Sequence, residues 1–347
     1  MNEHIMSKTI FFHNNNDFTG STRVLANVIE TEYAKQSVTV VSMNTNDGFL
    51  SSLANVHIVS VCYPLFKNKR IPFLSGLIFR LHAFFIAFVY GWRYDVFYIN
   101  TIKPFYAAIV GAIYHKKIIY HIHEKYVTNS FNVKLLEFVF NHVPAKRIFV
   151  SKYVKEQYPS QRKSESIVMY NSLSTSFLSK VKIVPIEQRK RNVIIMISSL
   201  QRGKGIFTYI DIARKMPEYK FLLILSTDIG SIKCFFKCEI PSNIEFIPSQ
   251  IDIHPFLRMS DLMMNLSIPS LCIETFGMTI LEAMAYGIPS IVPNVGGPTE
   301  LIKDGYNGFC IDVSDVDQIV HYINKALEQN EYGHLAQNSL ERLKLFV

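Results

Sequence analysis

The 347-residue sequence predicts an α/β protein of two Rossmann-like domains, each a doubly wound parallel sheet, facing a cleft. Three observations lead there. Short apolar runs alternate with helix-patterned stretches along the chain. Twice, at Lys8–His13 and at Asn192–Ser199, an apolar strand enters a glycine-bearing loop that opens a helix. Between these two starts, Leu173–Arg191 is polar and basic and holds Pro185, the composition of a linker. The predicted division is therefore 1–172, 173–191 and 192–347.

In the first domain, Lys8–His13 is a strand and Asn14–Gly20 a loop. Ser21–Ala34 follows with Val24, Leu25, Val28 and Ile29 at helical spacing. Val38–Ser42 and Val56–Val61 are further strands. The basic cluster Lys67–Arg70 then leads into Ile71–Trp92, the most apolar stretch of the protein. Arg80 and His82 interrupt it, and the ten residues Ala83–Trp92 are too few to span a bilayer. A helix with one face on the core is expected, and its other face suits peripheral membrane contact. Asp95–Asn100 is a strand, Thr101–His115 carries a helix, and Lys117–Ile122 is the next strand. Side chains alternate there, so His121 and His123 share a face at the strand's carboxyl end. With no third ligand nearby, two such histidines do not make a metal site. Asn132–Asn141 is helical, Arg147–Ser151 a strand, Tyr153–Gln157 a short helix and Ile167–Tyr170 the last strand.

The second domain opens with Asn192–Ser199 as a strand, the turn Gly203-Lys204-Gly205, and Ile206–Lys215 as a helix. A lysine beside glycine at a helix start can grip a phosphate with amides and an ammonium, although a solvated basic turn looks the same. Strands follow at Lys220–Ser226 and Ile244–Ile247. Ile253–Ser260 is a helix with Asp252 as its N-cap. Phe309–Val313 is the closing strand, and Asp315–Gln329 a helix. Asp315-Val316-Asp317 resembles a metal-binding Asp-x-Asp, but at a helix start aspartate is the expected cap.

The most informative stretch is Asn265–Gly308. Leu262–Leu266 is a buried strand, a loop broken by Pro269 follows, and Met278–Tyr286 is made of good helix formers. Gly287 and Pro289 stop that helix, Ile288–Val292 returns as a strand, and Gly296-Gly297-Pro298 turns into the next helix. Glu274 lies at the mouth of the helix that starts near Gly277, and Glu282 lies in its second turn. Amides of the first turn suit a phosphate, and carboxylates suit sugar hydroxyls. A nucleotide sugar has both. One glutamate alone would be only an acidic residue favouring a helix's positive end.

The sequence Glu274-x7-Glu282 enclosing Phe276-Gly277, then Gly287-x-Pro289 and Gly296-Gly297-Pro298-x-Glu300, resembles the large retaining glycosyltransferase family of the GT-B fold called family 4, or glycosyl transferases group 1. It looks most like bacterial members that build O-antigen, capsule or other surface polysaccharide. The resemblance implies that Glu274 and His123 serve the transferred sugar. It implies that Gly20, Arg202, Lys204, Phe276, Gly277, Met278, Thr279 and Glu282 bind the donor, with Glu282 on the ribose. The Gly20 loop, with Arg23 after it, would close on the diphosphate. No metal or other cofactor is implied, no side chain acts as covalent nucleophile, and the leaving phosphate deprotonates the acceptor. Members carry an arginine where this chain has Ser199, with Arg202 the candidate replacement, and a Gly-rich turn where it has Thr227–Gly230. Members also continue past the position of Val347 with a helix onto the first domain, which implies a shortened C-terminus here.

Net charge is +8, unevenly spread. Residues 1–185 hold 21 Lys/Arg and 10 Asp/Glu, a balance of +11, and the remainder carries −3. The first half thus favours an anionic partner, with nucleic acid, an anionic membrane surface and a polyprenyl-diphosphate-linked saccharide acceptor as candidates. No nucleic-acid motif accompanies the charge. Five cysteines at 62, 234, 238, 272 and 310 make an odd count without zinc spacing, which suits free thiols in a reducing compartment. The polar start Asn2–Lys8 is unlike a signal peptide. The expectation is a cytoplasmic enzyme resting on the membrane face. Its rivals are a nucleotide-sugar epimerase of the same fold and a non-catalytic partner subunit.

Overall fold

The computed structural model describes residues 7–43, 48–61, 72–125, 131–158, 165–236 and 239–347. The basic cluster Lys67–Arg70, Cys62 and Cys238 lie outside them. The chain divides into two compact units, Met1–Tyr170 and Asn171–Val347.

The first unit has seven strands: β1 (Thr9–Phe12), β2 (Val38–Ser42), β3 (Val56–Ser60), β4 (Val96–Asn100), β5 (Lys117–Ile122), β6 (Lys146–Phe149) and β7 (Ser166–Val168). All pair in parallel, in the order β3-β2-β1-β4-β5-β6-β7. Its helices are α1 (Gly20–Glu32), α2 (Pro72–Gly91), α3 (Phe105–Ile113), α4 (Phe131–His142) and α5 (Lys152–Glu156). β1 and β4 are buried at every position, which is why they read as continuous apolar runs. Chain order reverses between β1 and β4, so the crevice of this sheet opens at their carboxyl ends.

α2 has two apolar faces. Ala83, Ile86 and Ala87 are buried, whereas Leu81, Phe85, Phe88 and Trp92 are exposed. The exposed residues fall at i, i+4, i+7 and i+11, one stripe of the helical surface.

The second unit has six strands: β8 (Val193–Ser198), β9 (Lys220–Leu225), β10 (Ile244–Ile247), β11 (Leu262–Met264), β12 (Ser290–Pro293) and β13 (Gly308–Ile311). They are parallel, in the order β10-β9-β8-β11-β12-β13, with the switch between β8 and β11. Its helices are α6 (Thr175–Ser179), α7 (Ile206–Lys215), α8 (Ile229–Phe235), α9 (His254–Met259), α10 (Met278–Met284), α11 (Pro298–Leu301), α12 (Val316–Leu327) and α13 (Gln329–Leu343). Ile194, Met196, Tyr209, Phe221, Leu223, Leu262 and Met264 form the centre of its core.

Several expectations need revision. Residues 173–191, whose composition suits a linker, pack on the second unit. The Phe177 ring lies 4.3 Å from that of His254. Arg189 is buried, donates to the carbonyls of Ser260 and Tyr286, and lies 3.6 Å from Asp261. Where the family carries a Gly-rich turn, Thr227 and Asp228 lead into α8, and Ile229 and Gly230 open it. Asp228 accepts from the Ser231 amide at 3.0 Å and caps α8. α13 went unpredicted, although Tyr332, Leu335, Ala336 and Ser339 repeat at i, i+3, i+4 and i+7 on its buried side. Asp315 does cap α12, accepting from the amides of Asp317 and Gln318 at 3.0 and 3.1 Å.

Candidate functional site

In the second unit, two loops leave the carboxyl ends of the switch strands β8 and β11 and are locked together. The tight turn Arg202–Lys204 ends in Gly205, at φ +74°. A Cβ on Gly205 would stand 2.0 Å from the Leu266 carbonyl oxygen, so only glycine lets the turn press this close. The Ile268 amide donates to the Gly203 carbonyl at 2.8 Å, which closes the contact. Lys204 is thereby held beside the loop that carries Glu274.

Lys204 Nζ lies 2.8 Å from Glu274 Oε2, with the two side chains only 19% and 23% exposed. Glu274 is held from three further sides. Asn265 hydrogen-bonds its carboxylate, as does the Thr275 amide. The Gly297 amide donates to its carbonyl at 2.9 Å. A Cβ on Gly297 would sit 2.1 Å from the Thr275 carbonyl oxygen, so the Gly-Gly-Pro turn is the floor on which Glu274-Thr275 runs. Burial pushes the Glu274 carboxyl up. The Lys204 charge and the hydrogen bonds outweigh it and hold the group below its ordinary value. Burial likewise pushes Lys204 down, and Glu274, helped by the neighbouring Cys272, more than reverses this. The site is a charged pair, partly desolvated, that keeps both charges.

α10 begins at Met278 with Gly277 as N-cap, and its first capping bond runs from the Ile280 amide to the Gly277 carbonyl. The amides of Met278 and Thr279, both half-buried, precede that bond. Glu282 is 1% exposed, so the two glutamates meet different surroundings: one on the loop, one in the interior. Phe276 is 3% exposed, and its ring packs 6.4 Å from the Phe346 ring. Arg202 is exposed with its guanidinium over the Phe207 ring at 5.1 Å.

In the first unit, His123 follows β5 and is 6% exposed. Its Nε2 lies 2.7 Å from Asn100 Oδ1, at the end of β4. Asn100 Nδ2 lies 3.0 Å from His13 Nδ1, just past β1. His13 Nε2 lies 2.9 Å from Thr22 Oγ1, which lies 2.7 Å from Asp17 Oδ1. The His121 ring stands 4.4 Å from that of His123, with its Nδ1 2.8 Å from the Tyr98 hydroxyl. Burial lowers His13 to about 4, against the pull of Asp17 and Asn100, and lowers His121 to about 4. Burial, with His121 and His13 adding to it, takes His123 well below the ordinary histidine value. Thr101, directly after Asn100, has φ +73°, a costly backbone for a β-branched residue. Gly20 opens α1, exposed and without close neighbours.

Asn265, Cys272, His13 and Asn100 were not singled out from the sequence. Their shared signal is position: each follows or ends a strand beside a topological switch, or sits in the loop after one.

Residues 180–342 match the family described as Glycosyl transferases group 1. The chain is 29% identical over 210 residues to an uncharacterized glycosyltransferase of Methanocaldococcus jannaschii, covering 58% of this chain and 55% of that protein. It is 35% identical over 158 residues to the N-acetyl-alpha-D-glucosaminyl L-malate synthase of Bacillus anthracis, covering 44% of this chain and 39% of the synthase. The chain thus spans about half or less of the length of these relatives. In fold it is similar to Anabaena Alr3699/HepE, solved in complex with UDP-glucose, at TM-score 0.79 and 19% identity, over 98% of this chain and 95% of that one. The fold is that of the GT-B glycosyltransferases, and the match to the glycosyl transferases group 1 family covers residues 180–342, just under half of the chain.

Proposed function

We propose that the chain is a retaining glycosyltransferase. It moves a hexose or deoxyhexose from a nucleotide sugar to a saccharide or polyprenyl-diphosphate-linked saccharide in surface-polysaccharide synthesis. The observation that carries this reading is the Lys204–Glu274 pair, 2.8 Å apart on the two loops of the switch point and just ahead of α10. An ammonium offers three donors, so Lys204 can hold a diphosphate without releasing Glu274. Glu274 then has an oxygen for hydroxyls of the donor sugar. With the amides of Met278 and Thr279, Lys204 stabilises the charge that grows on the leaving diphosphate, an electrostatic role that needs no metal. Glu282 serves the ribose and His123 the transferred sugar. The leaving phosphate takes the acceptor's proton.

The exposed stripe Leu81, Phe85, Phe88 and Trp92, in a unit of net positive charge, supports a peripheral site on an anionic membrane face, where a lipid-linked acceptor would be found. The test is a panel of nucleotide hexoses against free saccharides, polyprenyl-linked saccharides and L-malate, with the anomeric configuration of the product read by NMR. Transfer with retention to a saccharide supports the reading. Transfer to L-malate alone, or conversion of the donor without any acceptor, contradicts it.

A further inference from the structure

The polar side chains behind His123 fix where their shared protons lie. The Ser21 carbonyl oxygen carries no proton, so the Asn100 atom 3.1 Å from it must be the amide nitrogen Nδ2. That orientation follows from an acceptor that cannot be reversed. Nδ2 also donates to His13 Nδ1 at 3.0 Å, so Nδ1 is the bare nitrogen of a neutral imidazole. The His13 proton then lies on Nε2, 2.9 Å from Thr22 Oγ1. The other end of this series makes the same demand. Thr22 Oγ1 has two acceptors for its single proton, Asp17 Oδ1 at 2.7 Å and the Asn15 carbonyl at 3.2 Å, so it accepts from His13. On the far side of Asn100 the remaining atom, Oδ1, can only accept. His123 Nε2, 2.7 Å away, must therefore carry a proton. A neutral His123 is left with a lone pair on Nδ1.

We propose that Asn100 and His13, anchored by Ser21, Thr22 and Asp17, are positioning residues that hold His123 as the neutral Nε2–H tautomer with Nδ1 as a hydrogen-bond acceptor. This rests on the assignment of His123 to the donor sugar. The elements are rigid ones: three neighbouring strands of the sheet, β1, β4 and β5, and the first turn of α1. Thr101 adds to this by ending β4 in a left-handed residue whose amide donates to the His121 carbonyl at 2.8 Å, fixing the backbone next to Asn100. The nearby charges are Asp17 and Lys103, which act on His13 in opposite directions. A ring fixed in one tautomer accepts a hydroxyl's hydrogen bond in one direction only, so a sugar hydroxyl bound at Nδ1 would be oriented before reaction.

The experiment is histidine-labelled nitrogen NMR on the full chain without donor, followed by steady-state transfer kinetics. His13 and His123 are expected each as a single Nε2–H tautomer. Asn100→Leu removes the acceptor and should leave His123 a tautomer mixture, with kcat lowered about 10-fold or more and donor KM moved less. Asn100→Asp keeps an acceptor for His123 and should restore its Nε2–H form while moving the His13 proton to Nδ1. Thr22→Val removes only the acceptor of the His13 Nε2–H and leaves Asn100 Nδ2 on Nδ1, so His13 and His123 should both keep their Nε2–H form there, and Asn100→Asp carries the test if the leucine variant does not fold. A wild-type His123 found as Nδ1–H or as a mixture overturns the proposal, as does an unchanged tautomer in Asn100→Leu. An altered tautomer with unaltered kcat overturns the positioning role. His123→Ala then locates the fault: full activity there condemns the assignment of His123, and lost activity condemns the relay.

Discussion

Glu274 and Glu282, one partly exposed beside Lys204 and one 1% exposed in α10, should fail differently when neutralised. The reacting centre changes between ground and transition state, and the ribose does not. Glu274→Gln should therefore lower kcat on the order of 10²-fold, and Glu282→Gln should act mainly by raising donor KM. Steady-state kinetics with donor varied at saturating acceptor checks both. A near-normal kcat in Glu274→Gln would put the reacting centre elsewhere. The pair also makes a prediction about charge. Burial alone would push Lys204 below its ordinary value, and Glu274 is what raises it. In Glu274→Gln, Lys204 should titrate at lower pH than in the wild type, seen as faster acylation of this lysine near neutrality. The stability the pair supplies has a defined window. Glu274 is depressed in the folded chain, so its share is present above the unfolded carboxylate value and is lost as pH falls through the folded one. Lys204 is raised, so its share is present below the unfolded lysine value and is lost as pH rises through the folded one.

The elements that place these residues owe their form to close backbone contact. Gly297→Ala would drive a Cβ to 2.1 Å from the Thr275 carbonyl. The backbone under Glu274 must move, and the expected cost is above ~1 kcal/mol of stability, with donor binding lost in the same variant. Denaturant unfolding and donor titration read the two effects. On α2, Leu81→Glu with Phe85→Glu should abolish binding to anionic vesicles while leaving transfer to a soluble acceptor intact. Binding that persists in the double variant, or that is insensitive to salt, would remove the membrane from the account. Element by element, the sequence was most legible where periodicity and punctuation agree. α7 and the strands β2, β5 and β10 lie at the predicted residues, because apolar runs there are bounded by turn residues. α8 and α13 were hidden: one is capped by a single aspartate, and the other is polar apart from its buried stripe. Residues 173–191 misled because a few buried groups, Phe177 and Arg189, fix a stretch whose composition is polar. The Lys204–Glu274 contact spans 70 residues and could be named from motif but not from local pattern. The histidine relay joins positions 13, 22, 100 and 123, and only strand order brings them together.

At the scale of the molecule, two parallel sheets with the same reversal of strand order each offer a crevice, and the charges differ between the units: 19 Lys/Arg against 10 Asp/Glu over residues 1–170, a balance of +9, and 17 against 18 over residues 171–347, a balance of −1. The division suits an anionic acceptor or surface for the first unit and a donor held by specific contacts in the second. If Lys204 and the α10 amides supply the positive field, as proposed, transfer should survive excess EDTA. Full loss of activity restored by manganese or magnesium would show that the field is incomplete without an ion. The central claim is that the second unit grips a nucleotide sugar through Lys204. The most direct measurement is protection against heat unfolding by a panel of nucleotide sugars, beginning with UDP-hexoses, in the wild type and in Lys204→Met. The account predicts that at least one nucleotide sugar raises the unfolding temperature of the wild type. It predicts that the methionine variant binds that ligand about 10- to 100-fold more weakly, the loss expected for a hydrogen bond to a charged group. Absence of protection across the panel, or equal protection in the variant, would contradict it.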